Sequence, residues 1–457
     1  MELLKDKKVL VVGAGRSGLA AVKRLKDLGA QVRLTDRQDP EKLSGVTELG
    51  LSEGQLILGR VPEWNEVEAD LIVLSPGVPP QLPFIQEGLS KGARIWSEVE
   101  LALRDNSAKK VGVTGTNGKT TTTTLIGELA KRTGRTTLVA GNIGVALSSQ
   151  VDELGQDGIV VAELSSFQLE WIDSLRMDIG ILLNVTPDHL DRHGTVENYL
   201  AVKARIFENQ TPEDLAILNW DDQAVRTLGP SLKARVIYIS PTTFLNDGFC
   251  MQGDEIVFAE KGSITPILNR KELKLRGNHN LENVMASIAA AKELGLSWEE
   301  IAEGLRQFNG VEHRQEIVGT FDGILFINDS KGTNPDAAEK ALYAFQEPIV
   351  LIAGGKNKGL DFHEFMKIVK EQVKSLVLVG MAADEMEQAA RDIGVERFVR
   401  AKTFEEAVEL SIAEAVAGDV VLLSPACTSW DMFKSYEERG EFFKELVRRH
   451  YREPISK

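Results

Sequence analysis

The sequence predicts an α/β protein of three successive domains, each built on its own largely parallel sheet. Two observations lead there. The chain has 457 residues, and at about 150 residues per domain that leaves room for roughly three. Along it, short runs of Val, Ile and Leu alternate with helical patterns, and strands without a polar face must be covered by helices on both sides.

The first block opens on the strand KVLVV, passes through a helix over SGLAAVKRLKDLG and the strands QVRLTD and DLIVL, and ends near Trp96, so 1–96 is read as the first domain. A helical stretch, SEVELALRDNS, leads into the strand KVGVTG. A helix from Lys119 follows, then the strands GIVVAELS and MDIGILLNV, and the block closes on the helix WEEIAEGLRQF. Helical periodicity breaks in FNGVEHRQE, which makes 97–310 the second domain. In 311–457 the pattern returns with GILFIND, PIVLIAGG, SLVLVG, RFVRA and DVVLLSPA. No internal repeat of solenoid period is visible.

Composition narrows the function classes. Lys and Arg number 53 against 68 Asp and Glu, a net charge of −15 without a basic tail, so a nucleic-acid backbone is a poor partner. No apolar run approaches the ~18–20 residues of a spanning helix, and MELLKDKKVLVVGAG lacks the apolar core of a signal peptide. The expected setting is the cytoplasm, with no membrane insertion. Cys250 and Cys427 stand far apart with no C-x-x-C partner, which fits a reducing compartment and no thiol-ligated metal.

Two glycine-rich turns point to phosphate. Gly13-Ala14-Gly15-Arg16-Ser17-Gly18 follows a strand and opens a helix, with Asp36 closing the next strand, the context of a dinucleotide fingerprint. Such a turn aims backbone N–H groups at a pyrophosphate, and either NAD or a UDP-sugar supplies one. A turn that merely packs helix on strand would use the same glycines. Thr114-Gly115-Thr116-Asn117-Gly118-Lys119-Thr120 likewise joins a strand to a helix. There, backbone amides, a lysine and a hydroxyl converge where ATP and magnesium would sit. It departs from the strict P-loop pattern, because the position of the first glycine falls on Val113. Downstream, Glu163 ends a strand, where α/β sheets bind ligands, and is placed to share Mg²⁺ with Thr120. His189 in Asp188-His189-Leu190-Asp191 follows another strand and is a metal candidate, and Lys203 lies in YLAVKARIF.

Together TGTNGKTT, GNIG, ELSSFQLE, NVTPDHLDRH and AVKARIF resemble the Mur ligases, ATP-dependent amide-forming enzymes of peptidoglycan synthesis. The third block, with NDSKGTNPDA, GGKNKGLDF and SPACTSWDMFKSYEERG, is similar to the branch of that family that adds D-glutamate. The resemblance spans all three blocks. It implies Rossmann-like N- and C-terminal domains flanking a central P-loop-type ATPase domain, and the addition of D-glutamate to UDP-N-acetylmuramoyl-L-alanine through an acyl phosphate. The substrates would be small molecules, and the expected form is a monomer.

The same resemblance implies the site residues. Gly15, Arg16, Ser17, Asp36, Arg37, Ser75 and Gly77 would hold the UDP moiety, with Asn142 and His189 near the reacting carboxyl group. Gly115, Thr116, Asn117, Gly118, Lys119, Thr120, Thr121, Asn280, Asn283, Arg314 and Asp329 would bind ATP. Lys331, Thr333, Lys358, Ser429 and Tyr436 match the D-glutamate pocket, where a dicarboxylate calls for lysines and hydroxyl donors. Lys119, Glu163, His189 and Lys203 would act in catalysis. Two Mg²⁺ ions would be held, one by Thr120 and Glu163, the other by His189 and Lys203. In the family pattern Lys203 is a carbamate formed with CO₂, which turns a repelled cation into an oxygen ligand. The sequence Thr333-Asn334-Pro335-Asp336 lacks the arginine of the diaminopimelate-adding sister. A sister adding another amino acid remains the nearest rival, and a nicotinamide-dependent oxidoreductase or a non-catalytic nucleotide-binding regulator the rivals of other classes.

Overall fold

The computed structural model describes residues 4–275, 277–357 and 359–452. Two compact units make up the chain, one of residues 1–272 and 282–307, the other of 273–281 and 308–457.

The first unit contains two sheets. One holds β1 (Lys8–Val12), β2 (Gln31–Asp36), β3 (Leu56–Leu58), β4 (Leu71–Leu74) and β5 (Arg94–Ser97) in the order β3-β2-β1-β4-β5, all parallel. Val9, Leu10 and Val11 of β1 are almost completely buried, as the unbroken apolar run requires. Behind β1 the glycine turn leads into a helix over Arg16–Asp27. A Cβ on Gly18 would lie 1.8 Å from the Gly13 carbonyl oxygen, so only glycine lets the helix start this close to the strand.

The second sheet has nine strands: β6 (Lys109–Thr114), β7 (Thr137–Gly141), β8 (Ile159–Glu163), β9 (Ile179–Leu182), β10 (Leu215–Asn219), β11 (Arg235–Ser240), β12 (Gly248–Gln252), β13 (Glu255–Glu260) and β14 (Ser263–Asn269). Their order is β14-β13-β12-β11-β10-β9-β6-β8-β7. β6 runs parallel between β9 and β8, with Val113 opposite both Glu163 and Ile181. The carboxyl ends of these three strands therefore open on one crevice, where α/β sheets bind ligands.

The expectation of parallel strands needs a correction at the far edge. β12, β13 and β14 pair antiparallel. A parallel return needs a long crossover, but only two residues separate these strands. Lys261 and Gly262, both at positive φ (50° and 83°), make the left-handed turn that suits a tight hairpin. Ser263, Ile264 and Pro266 of β14 are exposed, as befits a strand at the edge of the sheet.

The second unit has one sheet of β15 (Glu316–Phe321), β16 (Ile324–Asn328), β17 (Ile349–Gly354), β18 (Val373–Val379), β19 (Phe398–Arg400) and β20 (Val420–Leu423), ordered β15-β16-β20-β17-β18-β19. β15 joins antiparallel through Asp322-Gly323, again both at positive φ, and the remaining pairs are parallel. The central strands are fully buried on both faces, each Leu or Ile contributing about 1.5–3 kcal/mol by leaving water. β20 lies between β16 and β17, so Asp329–Lys331, Gly354–Asn357 and Ser424–Ser429 emerge side by side.

Candidate functional site

The loop after β6 is shaped by two glycines and braced from β9. Gly115 and Gly118 have φ of 154° and 83°, and a Cβ on Gly118 would meet Asn283 Oδ1 at 2.2 Å. Asn184, just past β9, accepts from the Asn117 N–H (2.8 Å) and donates to its carbonyl (3.2 Å), and its own carbonyl accepts from the Thr116 N–H. The Thr186 N–H donates to Thr116 Oγ1 at 3.0 Å. Lys119 starts the helix Lys119–Lys131 and donates its ammonium to the carbonyls of Gly115 (2.9 Å) and Thr116 (2.8 Å). Thr120 and Thr121 are buried at the amino end of that helix, where the backbone dipole favours anions. Thr122 donates to Asn283 Oδ1 at 3.1 Å, so one ATP candidate of the later sequence is fastened to the loop.

Around this loop stand Glu163, Lys203 and His189. Glu163 ends β8 with only 2% of its surface exposed. One carboxylate oxygen accepts from Asn142 Nδ2 at 2.8 Å, and the other is buried with no hydrogen-bond partner. A buried carboxylate oxygen left open is costly, and it is the oxygen donor that a hard divalent cation takes. The amine of Lys203, 1% exposed, donates to the Gly115 carbonyl at 2.8 Å and lies 4.5 Å from the centre of the Tyr199 ring. Burial, aided by the nearby charge of Lys119, pushes its pKa far down, against the opposing pull of Asp188 and Glu163. Its surroundings therefore disfavour the charged form of this amine. His189 takes a left-handed backbone (φ 53°), rare outside glycine and frequent at functional sites. Its ring meets Phe167 edge-on at 4.9 Å, and its N–H donates to Asp188 Oδ1 at 2.9 Å.

The nucleotide candidates of the first sheet line a cavity of about 450 Å³ that includes Gly15, Arg16, Ser17, Asp36, Arg37, Ser75 and Gly77. Within it, Asp36 is a brace. Its carboxylate accepts from the Ala14 N–H (2.7 Å) and the Gln38 N–H (2.8 Å), tying the glycine turn to β2. Arg16 donates to the Gly144 carbonyl at 3.0 Å, which joins this turn to the GNIG loop that contains Asn142. Asn142 and His189 are not among its lining residues; Asn142 donates to Glu163, and the His189 ring packs against Phe167 and faces Tyr199.

In the second unit, Asp329 follows β16 and is fully buried. It accepts from Ser424 Oγ (2.7 Å) and from the Gln315 N–H (3.2 Å), with the Arg314 guanidinium 4.0 Å away. Burial raises its pKa to about 6, and these three partners only partly offset it. The Lys331 ammonium lies 5.3 Å from the centre of the Tyr436 ring. Ser429 is buried on the loop after β20, and Thr333 follows Lys331 in the loop after β16, its N–H bonded to the Lys331 carbonyl at 2.9 Å. Asn280 groups with this unit, whereas Asn283 groups with the first. Lys358 lies outside the described residues.

Sequence reading missed the residues that hold these groups in place. Asn184 and His193, whose ring nitrogen lies 3.0 Å from Ser166 Oγ, sit within the very motifs that carry the resemblance, and Tyr199 lies just before one, yet spacing alone does not separate a brace from a ligand. Arg439, 1% exposed, holds Ser330 and the Cys427 carbonyl. Glu312, His313 and Glu441 lie close enough to hold a metal, but Lys444 already bridges Glu312, Glu316 and Glu441 at 2.7–3.0 Å.

Comparison with known proteins shows the family. Residues 7–97 match the model of the Mur ligase MurD-like N-terminal domain, 113–291 that of the Mur ligase middle domain, and 313–427 that of the Mur ligase glutamate ligase domain. The UDP-N-acetylmuramoylalanine--D-glutamate ligase of Desulfitobacterium hafniense is 78% identical over 452 residues, covering 99% of this chain and 100% of the relative. The protein of the same name from Pelotomaculum thermopropionicum is 50% identical, covering 97% and 99%. Among solved structures, the UDP-N-acetylmuramate-alanine ligase of Thermotoga maritima shares the fold at 21% identity and a TM-score of 0.60, covering 97% of this chain and 100% of that one. The MurF ligase of the same organism, in complex with ADP, does so at 18% and 0.60, covering 98% and 96%. With its three family domains and full-length relatives, the chain belongs to the Mur ligase family.

Proposed function

We propose that the chain joins D-glutamate to UDP-N-acetylmuramoyl-L-alanine at the cost of ATP, as a cytoplasmic monomer making peptidoglycan precursor from small molecules. The observation that carries this reading is the full-length match to relatives named for that reaction, 78% identical over 99% of the chain. Family membership brings ATP dependence and Mg²⁺ with it.

In the first step a carboxylate oxygen of the alanyl group attacks the γ-phosphorus, the bond to the β-bridging oxygen breaks, and ADP is left beside an acyl phosphate. The amine of D-glutamate then attacks the carbonyl carbon. The C–O bond to phosphate breaks, the nitrogen loses a proton, and the amide remains. Little covalent work falls to the protein; it positions and neutralises.

Gly115 to Thr121, Lys119 among them, cradle the phosphates in this reading, and Asn280, Asn283, Arg314 and Asp329 are assigned to the rest of ATP. Thr120 and Glu163 fit one Mg²⁺, for which the open Glu163 oxygen is the support; His189 and Lys203 fit the second. When bound, the ions offset charge on the transferring phosphoryl group. A neutral Lys203 amine is the form that attacks CO₂, forming a C–N bond and releasing a proton, and its depressed pKa supports a carbamate there. Gly15, Arg16, Ser17, Arg37, Ser75 and Gly77 take the UDP moiety, with Asp36 holding the turn. Asn142 and His189 take the muramoyl end. Lys331, Thr333, Lys358, Ser429 and Tyr436 take D-glutamate, the lysines meeting its carboxylates.

The test is phosphate release from ATP and Mg²⁺ with UDP-N-acetylmuramoyl-L-alanine and one amino acid at a time. Release with D-glutamate, and not with L-glutamate, L-alanine, L-lysine or meso-diaminopimelate, is the expected result. Release with a different amino acid would overturn the pocket assignment, and release with none would overturn the reaction.

A further inference from the structure

His189 is followed within one helical turn by Arg192, a residue with no part in the chemistry above. Its side chain is 13% exposed. Nη2 donates to Glu170 Oε2 at 2.7 Å and Nη1 to the Val78 carbonyl at 3.3 Å. The guanidinium carbon lies 5.3 Å from the centre of the Phe167 ring, the ring that meets His189 edge-on at 4.9 Å. On its other side, Val78 closes a turn on the Ser75 carbonyl (3.0 Å), Ser75 Oγ donates to the Gly13 carbonyl (3.3 Å), and Gly13, Ser75 and Val78 all line the nucleotide cavity. Arg192 is thus the junction of two sets of contacts, one reaching the cavity that would hold UDP, the other the histidine beside the reacting carboxyl group.

A substrate anchored at one end by its nucleotide and reacting at the other needs the distance between the two anchors fixed. Misplacement by about 1 Å costs on the order of 10²-fold in rate. A planar guanidinium suits this task because it grips a carboxylate and a carbonyl in fixed directions while packing flat on an aromatic ring, which an ammonium cannot do. We propose that Arg192 is a positioning residue that sets the register between the nucleotide cavity and the His189 site. The inference rests on the reading of the substrate given above.

The experiment compares the parent with Arg192→Ala, Arg192→Lys and Glu170→Gln in calorimetric binding of UDP alone, in binding of UDP-N-acetylmuramoyl-L-alanine, and in steady-state kinetics. UDP binding to Arg192→Ala should stay within about twofold of the parent, because the cavity is intact. The added affinity of the full substrate should disappear, and kcat should fall roughly 10- to 100-fold with KM for ATP unchanged. Arg192→Lys, which keeps the charge facing Glu170, should recover part of the loss. Parent-like kinetics in Arg192→Ala, or equal weakening of UDP and full substrate, would overturn the proposal. If Arg192→Ala fails to fold, Glu170→Gln carries the same comparison with a smaller loss, and parent-like kinetics there would overturn it too. A parent that does not turn over the UDP substrate would instead overturn the reading of the reaction.

Discussion

Replacing Asp329 by Asn should stabilise the unliganded protein while removing a group proposed to serve ATP. The carboxyl group is fully buried and its pKa is raised from 3.8 to about 6, a gap of about two units and hence about 3 kcal/mol. The sign follows from proton binding. Between pH 3.8 and 6 the folded chain holds the proton that the unfolded chain has lost, so stability falls as pH rises through that window and the full penalty is present above it. Asn carries no charge at any pH and can still accept from the Gln315 N–H. The variant should therefore be more stable than the parent by up to about 3 kcal/mol at pH 7.5 and by about half that at pH 5. Urea unfolding of both proteins at the two pH values measures this, with phosphate release assayed alongside. A variant less stable than the parent at pH 7.5, or a difference that does not shrink toward pH 5, would refute the reasoning.

Lys203→Ala should abolish turnover, and short carboxylic acids should restore part of it by supplying the missing carboxylate; full activity in the unrescued variant, measured by phosphate release, would remove the carbamate from the account. Gly118→Ala should cut kcat by at least tenfold and weaken ATP, since its Cβ would sit 2.2 Å from Asn283 Oδ1 in a backbone at φ 83° where L-residues pay about 1–2 kcal/mol. Nucleotide-binding calorimetry checks this, and UDP affinity should stay at the parent value.

Most of this fold was legible in the sequence. The unbroken apolar runs announced buried parallel strands, and the two glycine runs announced tight strand-to-helix turns, because local backbone geometry leaves those residue types little choice. Less legible was anything set by long-range contact. Nothing in Ser263–Asn269 says that the strand turns back antiparallel, although Lys261-Gly262 is the turn that sends it back. Asp36 reads as a nucleotide contact from its place at the end of β2, yet its two oxygens are taken by backbone N–H groups. Glu163 and Lys203 were legible as types but not as states. That one has a buried oxygen without a hydrogen-bond partner and the other an amine whose charged form is disfavoured comes from burial among neighbours distant in the chain, including Asn142 and Gly115. Arg192 hid in plain sequence within DHLDRH, since its partners Val78 and Glu170 stand on separate segments.

The most direct measurement runs the phosphate-release reaction with substrate labelled by ¹⁸O in both oxygens of the alanyl carboxylate. With ATP, Mg²⁺ and D-glutamate present, activation through an acyl phosphate places one labelled oxygen in each phosphate released and leaves the other in the amide carbonyl. Phosphate free of label would mean that the carboxylate never bonds to phosphorus, and the chemistry assigned to the Gly115 loop, Glu163, His189 and Lys203 would be wrong.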